Sequence, residues 1–306
     1  LCLCDDASTR QDTSRALATR VSSRLVEGGA FEPGGVRLVR HADNRRIVAT
    51  SNDALALATG DWVVLLDHDD LLAPHALLRL AQALARSPEA QVLYSDEDKL
   101  DESGLRCLPF FKPDFSPALL ATQNYIGHLL AMRTTLIRSL GGFREGTDGS
   151  QDYDRVLRAS EQTSQIVHVP AVLYHWRLHA GSTAINTEAK PYAHEAGRAA
   201  LAAHLARRYP DHFDRVDDGE HLFTYQPRFR LPPDCLASII IPTKDKPDLL
   251  EACVRSILTR SSWSNFEVLI LDNNSSEPET FAWFERIQRE DPRVRVLPAA
   301  IPFNWS

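Results

Sequence analysis

Short apolar runs closed by carboxylates alternate along this chain with stretches whose apolar residues recur at helical spacing. Trp62-Val63-Val64-Leu65-Leu66 is the clearest run. It predicts a strand buried on both faces, as in a parallel sheet, and Asp67-His68-Asp69-Asp70 follows where such a strand leaves the sheet. Leu1-Cys2-Leu3-Cys4 reads as the tail of another buried strand, ending in Asp5-Asp6-Ala7-Ser8-Thr9. Those carboxylates and hydroxyls suit the cap of a helix running to about Val26, or hydrogen bonds to a base or ribose. Gly28-Gly29 and Pro33-Gly34-Gly35 mark a loop, Val36 to Val39 a short strand, and Asn52 to Ala58 an alanine-rich helix stopped by Gly60. The order strand, helix, strand, helix, strand is the α/β rhythm.

Further on, Pro74 to Arg86 carries a helical stripe of Leu77, Leu80, Ala81 and Leu84. Gln91 to Ser95 is a strand, and the acids after it, Asp96-Glu97-Asp98, read as a wet turn or as a group facing an acceptor. The loop Pro109 to Pro117, with Phe110, Phe111 and Phe115, suits either the rim of a cleft or a packed connection. Gly141-Gly142-Phe143-Arg144 precedes a helix start with Asp148 or Ser150 as cap and Asp152 and Asp154 in the first turn. The helix dipole keeps a carboxylate there ionised, which suits a general base and equally suits a plain dipole-favoured acid. Val167 to Tyr174 is a strand, and His175 to Thr183 a loop whose two histidines and Arg177 could contact metal and diphosphate. A helix over Ala189 to Arg208 leads into a connector with one short strand, His221 to Tyr225.

The pattern then begins again. Ser238 to Asp245 is a buried strand with a polar exit, Asp248 caps a helix, and Phe266 to Leu271 is a strand ending in Asp272-Asn273-Asn274-Ser275-Ser276. That ending repeats the chemistry of Asp5-Asp6-Ala7-Ser8-Thr9, and a helix and a short strand (Arg293 to Leu297, beside Val36 to Val39) follow it again. Internal repetition of this kind marks a duplicated domain.

Composition narrows the classes. The 306 residues are 43% hydrophobic and 25% charged, ordinary for a globular protein. A net charge of -7 without a basic run argues against nucleic-acid binding. Five scattered cysteines make no disulfide framework and point to a reducing cytosol. No apolar run reaches the roughly 18 residues of a membrane span. Leu1 is not an initiator methionine, so the chain is expected to be a piece of a longer protein. Three carboxylates within four residues at 67–70 repel one another unless a proton or cation sits between them. A hard divalent ion shared with a phosphate is the natural occupant; the plain alternative is an acidic turn in which Asp70 caps the helix after Pro74.

Taken together these residues resemble the family 2 glycosyltransferases of the GT-A fold, in particular tandem bacterial members that build cell-surface polysaccharide. The resemblance rests on Asp5-Asp6-Ala7-Ser8-Thr9, Asp67-x-Asp69-Asp70, Gly142-Phe143 ahead of Gln151-Asp152-Tyr153-Asp154, Leu173-Tyr174-His175-Trp176-Arg177 with Gly181-Ser182-Thr183, and the fresh start Ile239-Ile240-Ile241-Pro242-Thr243. It implies a mixed α/β sheet flanked by helices, with a GT-A domain at 1–188 lacking its first strand, a helical connector at 189–235, and the beginning of a second GT-A copy at 236–306. It also implies roles. Asp5 and Asp6 would contact the nucleotide; Asp67 and Asp69 would form the metal-and-diphosphate motif, supported by Asp70. Asp152 would be the base, with Asp154 ordering its helix, and His179 or His175 would hold metal or departing diphosphate. Asp245 and Asp272 would begin a second nucleotide pocket. The cofactor would be Mn²⁺ or Mg²⁺, the donor a nucleotide-diphosphate sugar, and the acceptor a saccharide or a lipid-linked one. The setting would be cytoplasmic, with room for peripheral association at the inner face of the membrane. Two rivals remain, a haloacid-dehalogenase-type phosphatase with Asp67 as nucleophile and Asp69 as acid, and a non-catalytic nucleotide-sugar-binding or scaffold module.

Overall fold

The computed structural model describes residues 1–17, 35–178, 191–232 and 234–301; His179 and the motif at 181–183 lie outside them. The chain forms two compact units, Leu1–Arg230 and Leu231–Ser306.

In the first unit, β1 (Cys2–Asp5) leads to α1 (Gln11–Ala16) and pairs in parallel with β2 (Arg37–Arg40), Cys2 opposite Arg37 and Asp5 opposite Arg40. Helix α2 (Arg46–Ala56) starts six residues before the expected Asn52. The cause is Asp6, whose carboxylate accepts from the amides of Arg45 (2.8 Å) and Arg46 (3.0 Å) and so caps the helix from another element.

The main sheet contains β3 (Trp62–Leu65), β4 (Leu71–Leu72), β5 (Val92–Leu100), β6 (Arg106–Phe110), β7 (Leu130–Arg133) and β8 (Ile166–Arg177). Its order is β3-β7-β5-β8-β4, with β6 on β5. Only β5 and β8 run parallel; the other pairs are antiparallel. The sheet is therefore mixed, as expected, but β3 departs from the both-face burial read from its sequence. It pairs antiparallel with β7, has no strand on its other edge among the described residues, and is half-buried throughout.

Helix α3 (Ala76–Arg86) buries Ala76, Leu80 and Ala83, while Leu77 is 62% exposed, so its inner face is rotated from the expected stripe. Short α4 (Pro117–Leu120) and α5 (Thr134–Ser139) precede α6 (Gln151–Gln162). Helix α7 (Pro191–Arg208) and the antiparallel hairpin of β9 (Phe213–Asp218) and β10 (Tyr225–Phe229) pack into the same core as α6. Ala200, Leu201, Leu205, Val216 and Tyr225 join Val92, Tyr94, Leu130, Val156 and Leu157 there. Each fully buried leucine of this kind contributes about 1.5–3 kcal/mol. The segment expected as a connector thus falls largely within the first unit and contributes to its core.

The second unit is β11 (Ala237–Thr243), α8 (Pro247–Arg260), β12 (Phe266–Asp272), α9 (Pro278–Glu290) and β13 (Val294–Pro298), with an all-parallel sheet in the order β11-β12-β13. The helices bury Val254, Trp283 and Ile287 against Val268 and Ile270.

The repeat is structural as well as chemical. Asp272 stands opposite Pro298 as Asp5 stands opposite Arg40. The Ser275 amide donates to the Asp272 carboxylate at 3.0 Å, and the Ser8 amide to Asp5 at 3.1 Å. The backbone carbonyls of the two aspartates accept from Ala299 (2.8 Å) and His41 (2.9 Å).

Candidate active site

A cavity of about 730 Å³ opens in the first unit between β1, α2, β3, Phe143 and the start of α6. Asp67, His68 and Asp70 bring one edge of carboxylates to its wall, and Gln151 and Asp152 come from α6. Two acids 85 positions apart in the chain therefore line one space. Asp69 is not on that wall.

Asp67 carries a perturbed carboxyl. Enclosure by the cavity walls pushes its carboxyl above the usual range; the charges of Asp152, Asp70 and Asp69 push the same way, and His128 opposes them. His128 Nε2 lies 3.9 Å from the Asp67 carboxylate, and its ring stacks on Tyr174 at 4.6 Å. Asp70 has a different task. It is buried, accepts from the Tyr174 hydroxyl (2.6 Å) and the Arg177 amide (2.8 Å), and fixes the 67–70 turn to β8. The expected helix cap does not form, since Leu71-Leu72 continue as β4. The Tyr174 oxygen also accepts from the Asp67 amide at 3.2 Å, and Arg177 Nε donates to the Asp69 carbonyl at 2.8 Å. The turn is thus held by its backbone, leaving the Asp67 carboxylate half-exposed.

Asp152 sits in the first turn of α6, where the dipole favours a negative charge. Ser150 occupies the cap position, but its hydroxyl donates to the Ala193 carbonyl (2.6 Å) and not to the helix. Arg155 Nη2 donates to Asp152 at 2.8 Å. This guanidinium is 1% exposed, lies 4.5 Å over the Phe143 ring, and has no hydrogen-bond partner at Nε or Nη1 among the described residues. Burial pushes Arg155 below the ordinary arginine value, against the pull of Asp152. Asp154, fully buried, pairs with Arg144 (2.5 Å) and Arg158 (2.7 Å), and Arg158 also holds the carbonyls of Leu140 and Gly142. Asn52 completes the frame by exchanging two 2.8 Å bonds with the backbone of Phe143. Gly142 has φ +71°, and a Cβ there would stand 2.3 Å from Asn52 Oδ1, so only glycine fits.

Other expected site residues are occupied elsewhere. Asp5 accepts from Ser8, and Asp6 is shared between the α2 amides and His41 Nδ1 (2.7 Å). His175 is not in a loop: it lies within β8, opposite Asp98, with Nδ1 2.5 Å from that carboxylate. Nor is Asp96-Glu97-Asp98 a wet turn. All three acids are buried inside β5, each with partners from another segment. Asp96 meets His168 Nε2 (2.9 Å) and the Lys112 amide (2.9 Å). Glu97 accepts from Lys112 Nζ (3.0 Å) and the His128 amide (2.9 Å), and Asp98 accepts from Arg106 (2.5 Å).

Sequence reading missed His128, Arg155 and Lys112. None stands in a cluster of its own kind; the one available signal was Arg155, a charged residue on the apolar side of an amphipathic helix.

Among the described residues no three His, Cys, Asp or Glu side chains form a metal cage. The donors that do fit a cation are the Asp67 carboxylate, crowded by negative charge and half-exposed, with Asp69 beside it. That set suits a hard ion completed by phosphate oxygens and water, the usual habit of Mg²⁺.

Residues 1–140 and 238–305 match the sequence pattern described as glycosyl transferase family 2. Over its whole length the chain is 44% identical to the uncharacterized protein y4gI of Sinorhizobium fredii, covering 33% of that protein. Over 99% of its length it is 39% identical to the O-antigen biosynthesis protein RfbC of Myxococcus xanthus, covering 23% of it. The chain thus spans a third or less of these relatives. Among solved structures, S. aureus TarS 1-349 in complex with UDP-GlcNAc matches at 18% identity and TM-score 0.48, over 66% of this chain and 56% of that one. The mannosyltransferase PcManGT of Pyrobaculum calidifontis matches at 21% identity and TM-score 0.45, over 68% and 54%. No helix among the described residues is long and apolar enough to cross a membrane.

Proposed function

The chain belongs to glycosyl transferase family 2, and from that premise we propose that its first unit moves a sugar from a nucleotide-diphosphate donor to a hydroxyl of a saccharide or lipid-linked acceptor, with inversion, in the synthesis of a cell-surface polysaccharide. The observation that carries the reading is the meeting of Asp67 and Asp152 on one cavity.

In this reading Asp152 takes the proton from the acceptor hydroxyl as the oxygen attacks the anomeric carbon. The Arg155 guanidinium holds one Asp152 oxygen in place at the first turn of α6. The leaving diphosphate departs toward the Asp67 turn. A divalent cation held by Asp67 and Asp69 would supply the positive charge that this developing anion requires. Asp70, Tyr174 and Arg177 keep that turn rigid from behind, and His128 faces the same carboxylate. In this reading Asp5 and Asp6 border the nucleotide end through their turns, and His175 supports β5 through Asp98. In this reading no protein side chain bonds to the anomeric carbon, and a single displacement inverts the configuration.

The test uses the chain with a panel of nucleotide sugars and Mn²⁺, measuring donor binding by calorimetry and nucleotide-diphosphate release. Asp152→Asn should leave donor binding within about twofold and lower transfer by roughly 10²–10⁴. Loss of binding and transfer together would remove Asp152 from the role of base. Donor binding indifferent to metal, without turnover, would favour a non-catalytic module.

A further inference from the structure

One imidazole behind the cavity wall is held in a way that fixes its protonation. His41 follows β2 directly, and its side chain is 6% exposed. Its Nδ1 lies 2.7 Å from the Asp6 carboxylate and its Nε2 2.8 Å from that of Asp53 in α2. A carboxylate only accepts, so both contacts are hydrogen bonds when both ring nitrogens carry protons. A neutral ring would leave one carboxylate facing a lone pair with no proton between them. The other ionisable groups around the ring are the Cys4 thiol, with Sγ 3.5 Å from Nε2, and the Arg45 guanidinium, which donates to Asp53 at 2.8 Å. The bond to Asp6 raises the imidazole above the ordinary histidine value and the bond to Asp53 adds to it, against burial and the charge of Arg45.

The two carboxylates belong to different parts of the cavity's frame. Asp6 follows β1 and caps α2 through the Arg45 and Arg46 amides. Arg46 keeps a φ of +66° there, which a residue other than glycine holds only when its surroundings impose it. Asp53 comes from α2 itself. The same helix lines the cavity with Thr50, Ser51 and Leu55, and its Asn52 grips the Phe143 backbone beside Asp152 on the cavity wall. The imidazolium therefore ties β1 and β2 to the helix on which both the wall and the frame around Asp152 depend.

We propose that His41 is a positioning residue for sugar transfer, acting as a doubly protonated clasp between Asp6 and Asp53 that holds α2 in place along the cavity. Its bearing on transfer rests on the reading of the cavity given above. The clasp has a direction with pH. A group whose folded pKa is raised contributes its stabilisation below the unfolded value and loses it as pH rises through the folded one. Donor affinity therefore falls on the alkaline side, as the ring gives up its proton.

The test uses the full chain and two readouts. Nitrogen NMR of the histidine rings, with His41 assigned by its loss in His41→Gln, should show both of its nitrogens protonated at pH 7. Calorimetry of uridine and guanosine diphosphates with Mn²⁺, from about pH 7 to 9, should show binding weakened about tenfold through the midpoint of that ring's titration. Asp53→Asn is the discriminating variant. Its side-chain amide can donate to an unprotonated Nε2, so binding should survive and vary by less than about twofold over the same range. A neutral His41 ring at pH 7, or an Asp53→Asn profile as steep as the parent's, would overturn the proposal. Nucleotide binding that ignores the titration of His41 would overturn the positioning role alone, whereas no nucleotide binding at any pH would overturn the transferase reading together with it.

Discussion

Lys112→Met tests whether the buried charges of β5 hold the site together. The Lys112 side chain is completely enclosed, with Nζ donating to Glu97 (3.0 Å), to the Ile126 carbonyl (2.5 Å) and to the His128 carbonyl. Burial pulls the ammonium below the ordinary lysine value, and the Glu97 charge opposes that pull. Methionine keeps most of the volume. It leaves Glu97 with the His128 amide as its remaining bond and two carbonyls without their donor. Breaking a buried ion pair from one side costs about 3–5 kcal/mol, a large share of the 5–15 kcal/mol typical of a domain. Removing both charges in Lys112→Met/Glu97→Gln should recover about 2 kcal/mol, the remainder being the two carbonyls at about 1 kcal/mol each. Amide exchange in Val92 to Leu100 reads this locally: about 4 kcal/mol corresponds to exchange roughly 10³-fold faster in the single variant, and about 30-fold faster in the double. A single variant within threefold of the parent, or a double variant no better than the single, would refute the reasoning.

Arg155→Met removes a desolvated cation and leaves Asp152, whose side chain is about a third exposed, to be met by water, so thermal unfolding should show a melting temperature unchanged or raised. The lost bond to Asp152, about 1.5–3 kcal/mol for a charged pair, should lower kcat roughly ten- to hundredfold with little change in donor KM. Gly142→Ala forces both a positive φ and a 2.3 Å approach to Asn52, and urea unfolding should show a loss of about 2–4 kcal/mol. Glu161, bound to His204 (2.7 Å) and Arg207 (2.7 Å), has its carboxyl held below the usual range by those partners against the opposing effect of burial. Because its folded-state pKa is depressed, its contribution is present above the unfolded value near 4.5 and disappears as pH falls through the folded one. Glu161→Gln should therefore cost about 1 kcal/mol at pH 7, with the difference from the parent closing in acid, as chemical denaturation across pH will read.

Much of this architecture was legible because periodicity reports burial. The runs at Leu1, Trp62, Gln91 and Val167 all became strands, and the repeat at Ser238 returned with the same turn bonds. Asp67 and Asp152 were legible as strand-end and helix-start acids. What sequence hid was the source of each neighbour. Three adjacent acids read as a wet turn because their counter-charges, His168, Lys112 and Arg106, lie in other segments. His175 looked like a loop ligand because nothing in its own stretch announces Asp98 across the sheet. The half-burial of β3 could not be read from its residues, since an apolar run is the same whether or not a strand lies next to it.

The acids of β5 have a further consequence. Asp96, Glu97 and Asp98 follow one another where the register of β5 against β8 shifts, and each is met by its own cation or imidazole. Sliding β5 by a single residue would strand all three charges against hydrocarbon at once. The sheet's midline is in effect keyed like a lock: oily contacts alone would tolerate several alignments, whereas this sequence of teeth admits one, and the spacing between the Asp67 turn and α6 inherits its accuracy from that fit.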